Sequence, residues 1–393
     1  MASLDAVKTP AICFDIDGVF KAGRFFFADG LKALATATAK GCPVCFVTNG
    51  GGGLGESEYL AGLKKKIATA ASEEDREARM QGGVSSLDLL NSISDNAMIL
   101  SYTPMGEAEQ FKEQKVLLVG DPREKVETVA RSYGWNFVHV TSYCGANPTV
   151  DPFAAARGQS HTAVANEAAP RPASPARGDF AAAASSAASS ESDNFDSVVV
   201  MTDPHDWFEA LQATIDVVVS GAPNSSTVME FDPNRRVQVH FSNPDIFWKA
   251  AHPQPRFGQG AFRLAFETLL RSRLNLLKAP PALIDMRLRE CVVQWGKPSV
   301  PTLSCAERRL TNMCSEAPRS FWMVGDNPAS DMALACMGDE SWRGVLVKTG
   351  VYVDTDAQCG ADAVVGGVLS AVEYIIEQHQ GVQEGVWGAS TRA

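Results

Sequence analysis

Four apolar residues, Ala11-Ile12-Cys13-Phe14, stop abruptly at Asp15-Ile16-Asp17-Gly18. A run that short and that apolar reads as a strand buried on both faces, delivering two carboxylates at its carboxyl end. The next segments build a unit around it. Residues 30–40 (GLKALATATAK) are Ala-rich and helical and are stopped by Gly41, and a second buried strand over 44–47 delivers Thr48-Asn49 and the glycines 50–53. Strand, helix and strand within about forty residues make a βαβ unit, so a parallel sheet follows.

The alternation returns further along. A helix over 87–93 leads to a strand over 98–101, and a new block runs as strand 116–119, helix 124–133 and strand 137–141. Strand 197–201, helix 207–216, strand 237–241 and helix 260–271 follow, and strands 321–324, 345–347 and 363–365 close the chain between helical stretches. The polar stretch 64–83 reads as an insertion. Over 147–193 the composition collapses to Ala, Ser, Pro and scattered charge, which cannot bury enough apolar surface to offset its ordering entropy. That segment is expected to be a disordered loop inserted inside a domain, with a regulatory tether carrying modifiable serines as the alternative. A chain of 393 residues is long for one core, and two domains are the natural expectation.

A net charge of -11 argues against binding nucleic acid, and the one basic run, Lys64-Lys65-Lys66, is answered at once by Glu73, Glu74 and Asp75. No apolar stretch approaches the ~20 residues of a membrane span, and residues 1–8 are not Arg-rich. A soluble protein is expected, cytoplasmic by default, or mitochondrial without a recognisable presequence. The nine cysteines are scattered; Cys42 and Cys45 form a C-x-x-C inside an apolar strand, where core packing is the better reading than redox or zinc chemistry. No G-x-S-x-G elbow and no P-loop occurs.

Polar clusters stand just past the apolar strands. Asp15 and Asp17 sit where α/β sheets bind ligands; one can attack phosphorus and hold a metal, and its partner can carry a proton if their environments separate their pKa values. Thr48, Asn49 and Gly50 offer a hydroxyl and backbone N–H groups to a phosphate. Lys297, in Gly-Lys-Pro before a helix, offers a fixed cation. Val324-Gly325-Asp326-Asn327 ends another buried strand, with Asp331 five residues on, and an acid there can complete an oxygen-rich magnesium site. Val119-Gly120-Asp121-Pro122 copies that look, but it precedes Lys297 and has Val126 where Asp331 would be matched, so Asp121 reads as an ordinary strand-end acid.

The order Asp15/Asp17, Thr48, Lys297, Asp326/Asp331 resembles the four motifs of the haloacid dehalogenase superfamily. The long segment between the Thr and Lys motifs is similar to the C2 cap of its class IIA members. The segments FDIDGV, FVTN, ILSYTPM, HFSNPD, PRFGQGAF, WGKPS and VGDNPASD resemble the haloacid dehalogenase-like hydrolase domain-containing 5 group, also called the cat eye syndrome critical region protein 5 group. The resemblance implies a Rossmann-like doubly wound parallel sheet core over 1–112 and 289–393, with an inserted α/β C2-type cap over 113–288. It implies a phosphohydrolase acting on a small phosphorylated metabolite with Mg2+, with homodimerisation through the cap left open.

In that scheme Asp15 is the nucleophile and Asp17 the general acid and then base. Thr48 and Lys297 hold phosphoryl oxygens, helped by the amides of Asn49 and Gly50. Asp15, the Asp17 carbonyl and Asp326 bind the metal, and Asp331 orients the set. An acid at Asp17 favours phosphate over carbon–halogen chemistry. The glycine run 50–53 departs from the family pattern and suggests a looser phosphate cradle. Asn243, Asp245 and Arg256 are expected as cap contacts to substrate. A fold-keeping scaffold with little turnover, or a phosphotransferase linked indirectly to glycerophospholipid metabolism, are the alternatives; the chain lacks the D-G-x-x-A-R signature of the lipid transferases themselves.

Overall fold

A computed structural model of the chain describes residues 9–80, 83–147, 150, 194–220, 236–248, 252, 254–353 and 360–383. The Ala/Ser/Pro-rich insertion, apart from 147 and 150, lies outside the described residues. Two compact units emerge, one of Met1–Ala108, Phe241–Ala261 and Gln294–Ala393, the other of Glu109–His240 and Phe262–Val293. The segment Phe241–Ala261, expected within the cap, belongs to the first unit.

The first unit carries a six-stranded sheet in the order Ala363–Val365, Trp342–Val347, Phe321–Gly325, Ala11–Phe14, Val44–Val47, Met98–Ile99. Every pairing is parallel. The chain steps outward to one side from Ala11–Phe14 and later returns to step outward on the other, so the order reverses between Ala11–Phe14 and Phe321–Gly325. In open α/β sheets that reversal is where ligands bind, beyond the carboxyl ends of the strands.

The short strands alternate between two dry faces. Cys13, Cys45 and Met323 join Leu303, Leu310 and Trp342 in one buried cluster beneath helix Val300–Asn312. Phe14 and Phe46, paired in register, point the other way and meet Phe20, with ring centroids 5.5 Å and 5.7 Å from its own. Helix Gly30–Ala39 starts against the Phe20 ring. Helices thus cover both faces, the doubly wound arrangement the sequence implied. Cys42 and Cys45 are buried and unpaired, and burial pushes both thiols up to about 12, which suits packing and not redox exchange.

The stretch 64–83 is not a plain insertion. Its first part completes helix Glu56–Ala70, which buries Leu60, Leu63 and Ile67 at helical spacing, and Ser72 then caps the short helix Glu73–Glu77. The basic run hid this helix because its apolar positions stand one per turn.

The second unit holds a five-stranded sheet in the order Val292–Gln294, Gln238–Phe241, Ser197–Val200, Lys115–Val119, Asn136–His139. The strand expected over 137–141 ends at His139, whose ring Nδ1 accepts from Thr141 N at 3.2 Å and caps helix Val140–Ala146. Asp121 accepts from His205 N at 2.7 Å and closes a loop in that unit. No helix among the described residues is long and apolar enough to cross a membrane.

Candidate active site

Parallel pairing brings the first motif to the last. Phe14 pairs with Val324, and Asp15 N donates to Val324 O at 2.8 Å, so Asp15 and Asp326 leave neighbouring strands side by side. Asp331 reaches back from a π-helical turn, Pro328–Met332, that follows the second of these strands. Its Oδ2 accepts from Asp326 N at 3.1 Å and Asn327 N at 3.0 Å, which fixes the turn.

Lys297 enters from the segment before helix Val300–Asn312, whose first turn is capped by Ser299. Its Nζ donates to Asp15 Oδ1 at 2.8 Å and to Asp331 Oδ1 at 2.6 Å, with the lysine 2% exposed. Burial works against the ammonium, but Asp15 and Asp331 outweigh it and hold its pKa above the ordinary lysine value.

Asp15, Asp326 and Asp331 each offer an oxygen within 4.8 Å of the others, and all three are buried. Burial first, then the charges of Asp15 and Asp331, pushes the Asp326 carboxyl well above the usual range. Three crowded carboxylates stand with one buried lysine, which contacts Asp15 and Asp331, and that excess of negative charge suits a hard divalent cation with oxygen ligands. One oxygen of Asp326 is already held, since Oδ2 accepts from Val351 N at 2.7 Å. Backbone closes in around it: a methyl group on Gly350 would lie 1.8 Å from that oxygen, and one on Gly18 2.2 Å.

Asp17 is placed differently. Its carboxylate is paired with Lys21 and stays partly exposed. Burial raises its pKa and Lys21 pulls it back. Thr48 follows strand Val44–Val47, with its N donating to Ile99 O at 3.0 Å and its Oγ1 accepting from Gly50 N at 3.1 Å. The first half of the glycine run is held, since Gly50 O accepts from Ser101 N at 3.3 Å and Gly51 O from Leu54 N at 3.1 Å. Gly51 presses so closely on Tyr102 that a methyl group would come 2.5 Å from the ring, and the Tyr102 hydroxyl donates to Leu54 O at 2.6 Å.

Asn49 is anchored by its side chain to the peptide of Lys297 and to Asp245. Asn243 and Asp245 lie in the first unit; Asn243 Oδ1 accepts from Asp245 N at 2.8 Å in a local turn, so Asn243 shapes the loop that presents Asp245. Burial pushes Asp245 up to about 7. Arg256 is exposed on a short strand, Arg256–Phe257, 3.2 Å from the His252 ring, and its contacts are with that loop instead of the acids. Lys21 and Val351 were not anticipated. Lys21 stood four residues from Asp17 without a helix to suggest the contact, and Val351 acts through its backbone, which leaves no trace in side-chain chemistry.

The family model for HAD-hydrolase-like proteins matches residues 294–371, the stretch that contains Lys297, Asp326 and Asp331. Over that stretch the chain is similar to HAD-hydrolase-like proteins. Its relatives include a protein named mitochondrial hydrolase from Saccharomyces cerevisiae, 28% identical over 95% of this chain and 97% of that one. Another, from Schizosaccharomyces pombe, is named cardiolipin synthase (CMP-forming) / mitochondrial hydrolase fusion protein; it is 25% identical, and the match spans 95% of this chain but 55% of the fusion. Among solved structures of similar fold, the 4-nitrophenylphosphatase of Thermotoga maritima aligns over 94% of this chain and 98% of its own, with a TM-score of 0.55 at 17% identity.

Proposed function

We propose that the chain is a magnesium-dependent phosphohydrolase that cleaves a small phosphate monoester through an aspartyl-phosphate on Asp15. The observation that carries this reading is the Lys297 ammonium held between Asp15 and Asp331 beside Asp326. The lysine occupies one oxygen of Asp15 and leaves the other to attack. A buried cation at that point neutralises charge gathering on the phosphoryl oxygens and needs no reorganisation as the reaction proceeds.

Asp15 forms a bond to phosphorus while the bond to the ester oxygen breaks, and Asp17 gives its proton to the departing oxygen. Asp17 then takes a proton from water, the water oxygen bonds to phosphorus, and the Asp15–phosphorus bond breaks to release phosphate. Thr48 and the amides of Asn49 and Gly50 hold the phosphoryl oxygens with Lys297. Asp15, the Asp17 carbonyl and Asp326 would hold Mg2+, which would supply charge neutralisation and orientation, and Asp331 fixes Lys297 and the turn after Asp326. The names of the yeast relatives support a mitochondrial compartment over a cytoplasmic one.

The decisive experiment follows 4-nitrophenyl phosphate hydrolysis by purified protein with magnesium, with EDTA, and after Asp15→Asn. Activity should vanish in EDTA, return with magnesium, and be lost in Asp15→Asn along with any trapped phosphoenzyme. Full turnover in chelator, or a phosphoryl group trapped on a peptide lacking residue 15, overturns the mechanism.

A further inference from the structure

Immediately after Asp17 the chain forms a hairpin, with Lys21–Ala22 paired antiparallel to Phe25–Phe26. Gly18 N donates to Lys21 O at 2.7 Å, which binds the hairpin to the catalytic loop. Between this hairpin and helix Glu56–Ala70 lies a cleft of about 720 Å³, whose walls include Lys21, Arg24, Phe25, Phe26, Tyr59 and Lys66. We propose that this cleft binds the leaving group of the substrate, and that the leaving group is an apolar body carrying a second anionic group. The proposal rests on the phosphatase reading and adds the substrate class to it.

Position is the first ground. A general acid must lie within hydrogen-bond reach of the ester oxygen, so the leaving group begins beside Asp17. Lys21 is both the ion-pair partner of Asp17 and a wall of the cleft. Tyr59 joins the two regions as well: it feels the charges of Asp17 and Asp15, and its hydroxyl lies 4.0 Å from where a methyl group on Gly50 would stand.

Chemistry is the second ground. Phe25 lines the cleft and is 64% exposed, and Phe26 lines it beside Phe25, so two aromatic rings are available to an apolar group there. The cleft holds four cations, Lys21, Arg24, Lys65 and Lys66, against one carboxylate, Glu58. Arg24 stands 5.1 Å over the Phe25 ring and Lys66 6.0 Å from the centre of the Phe26 ring, so charge and apolar surface are presented together. Lys64, by contrast, turns away to donate to Ile93 O at 2.6 Å. A glycerol-sized alcohol would leave the aromatic rings unfilled, and a neutral chain would leave the distal cations unmatched. An apolar body with a distal anion answers both.

The test compares three phosphates on the full chain with magnesium: 4-carboxyphenyl phosphate, phenyl phosphate and glycerol 2-phosphate. Variants are the double charge reversal Arg24→Glu/Lys66→Glu and, separately, Phe25→Ser. Comparing each variant's effect across substrates cancels differences in intrinsic leaving-group reactivity. Charge reversal should lower kcat/KM for the carboxyphenyl ester by about 10–100-fold, the range for losing a charge-assisted contact, and leave the other two within about threefold. Phe25→Ser should lower both aryl esters and spare glycerol 2-phosphate. If wild type turns over all three and the reversal changes them equally or not at all, the cleft proposal falls while the phosphatase reading stands. If wild type turns over none, both fall.

Discussion

The side-chain amide of Asn49 makes both hydrogen bonds of the Lys297 peptide: Oδ1 accepts from Lys297 N at 2.7 Å, and Nδ2 donates to Lys297 O at 2.9 Å. Nδ2 also reaches Asp245 Oδ2 at 3.2 Å. The loop after strand Val44–Val47 and Lys297 are thereby set as one piece, although 248 residues separate Asn49 from the lysine. Asn49→Ala leaves a buried N–H and C=O without partners, each costing about 1–3 kcal/mol. Stability in urea should fall by that order, and kcat should drop roughly 100-fold as the lysine loses its setting, in line with small misplacements of catalytic groups. Asn49→Asp should not rescue, because its second oxygen would face the Lys297 carbonyl and Asp245. Wild-type kcat in either variant would show that the clamp is dispensable.

Asp15 and Asp17 should separate by the half-reaction each one limits. Asp17→Asn keeps its backbone carbonyl but should lose the proton transfers proposed for it, which typically contribute ~10²–10⁴-fold. An activated aryl phosphate needs little help in leaving, so water attack becomes the slow step. Phosphoenzyme should accumulate on Asp17→Asn and appear in the intact mass; an unmodified mass during turnover would count against the assignment.

Crowding among the acids gives a stability test of the proposed metal site. In EDTA, Asp326→Asn should melt at a higher temperature than wild type, because it removes a buried charge repelled by Asp15 and Asp331. Adding magnesium should reverse the order, since a ligand at 100 times its Kd stabilises the native state by about 2.7 kcal/mol and the variant has lost a ligand. A magnesium-induced shift of equal size in both proteins would remove Asp326 from the site.

His240 sets a pH response in the second unit. It is buried in strand Gln238–Phe241, edge-on to Phe111 at 4.9 Å, and burial lowers its pKa to about 4. The unfolded chain takes up this proton near pH 6.5 while the folded one resists it until about 4, so stability falls as pH drops through that window. The loss should reach roughly 3 kcal/mol, and His240→Leu should flatten the urea-midpoint curve between pH 7 and 4. An unchanged slope in the variant would assign the response to other groups.

The sheet was legible because its strands are short, apolar on both faces and end in polar residues; Ala11–Phe14 and Val44–Val47 carry the expected bounds. Asp15, Lys297, Asp326 and Asp331 were legible as side chains whose charge has no use inside a core except together. Helix Glu56–Ala70 was obscured by its lysines, which cover one side while Leu60, Leu63 and Ile67 hold the other. The looseness expected of the glycines was judged from the run alone, and nothing local could show that Tyr102, about fifty residues on, packs against Gly51. Asn49 was read for its backbone amide, and nothing local could show that its side chain would find a peptide so distant.

The place of Ala11–Phe14 in the middle of its sheet has a consequence for how the protein is made. The strand leaves the ribosome well before Phe321–Gly325, which pairs with one of its edges, and Asp15 waits for a lysine 282 residues later. At about 5–20 residues per second, that edge stays open for roughly 15–60 seconds of synthesis. Throughout that interval a fully apolar strand offers unpaired N–H and C=O groups to any neighbouring nascent chain. Correct assembly of this enzyme therefore depends on shielding Ala11–Phe14 until Phe321–Gly325 arrives.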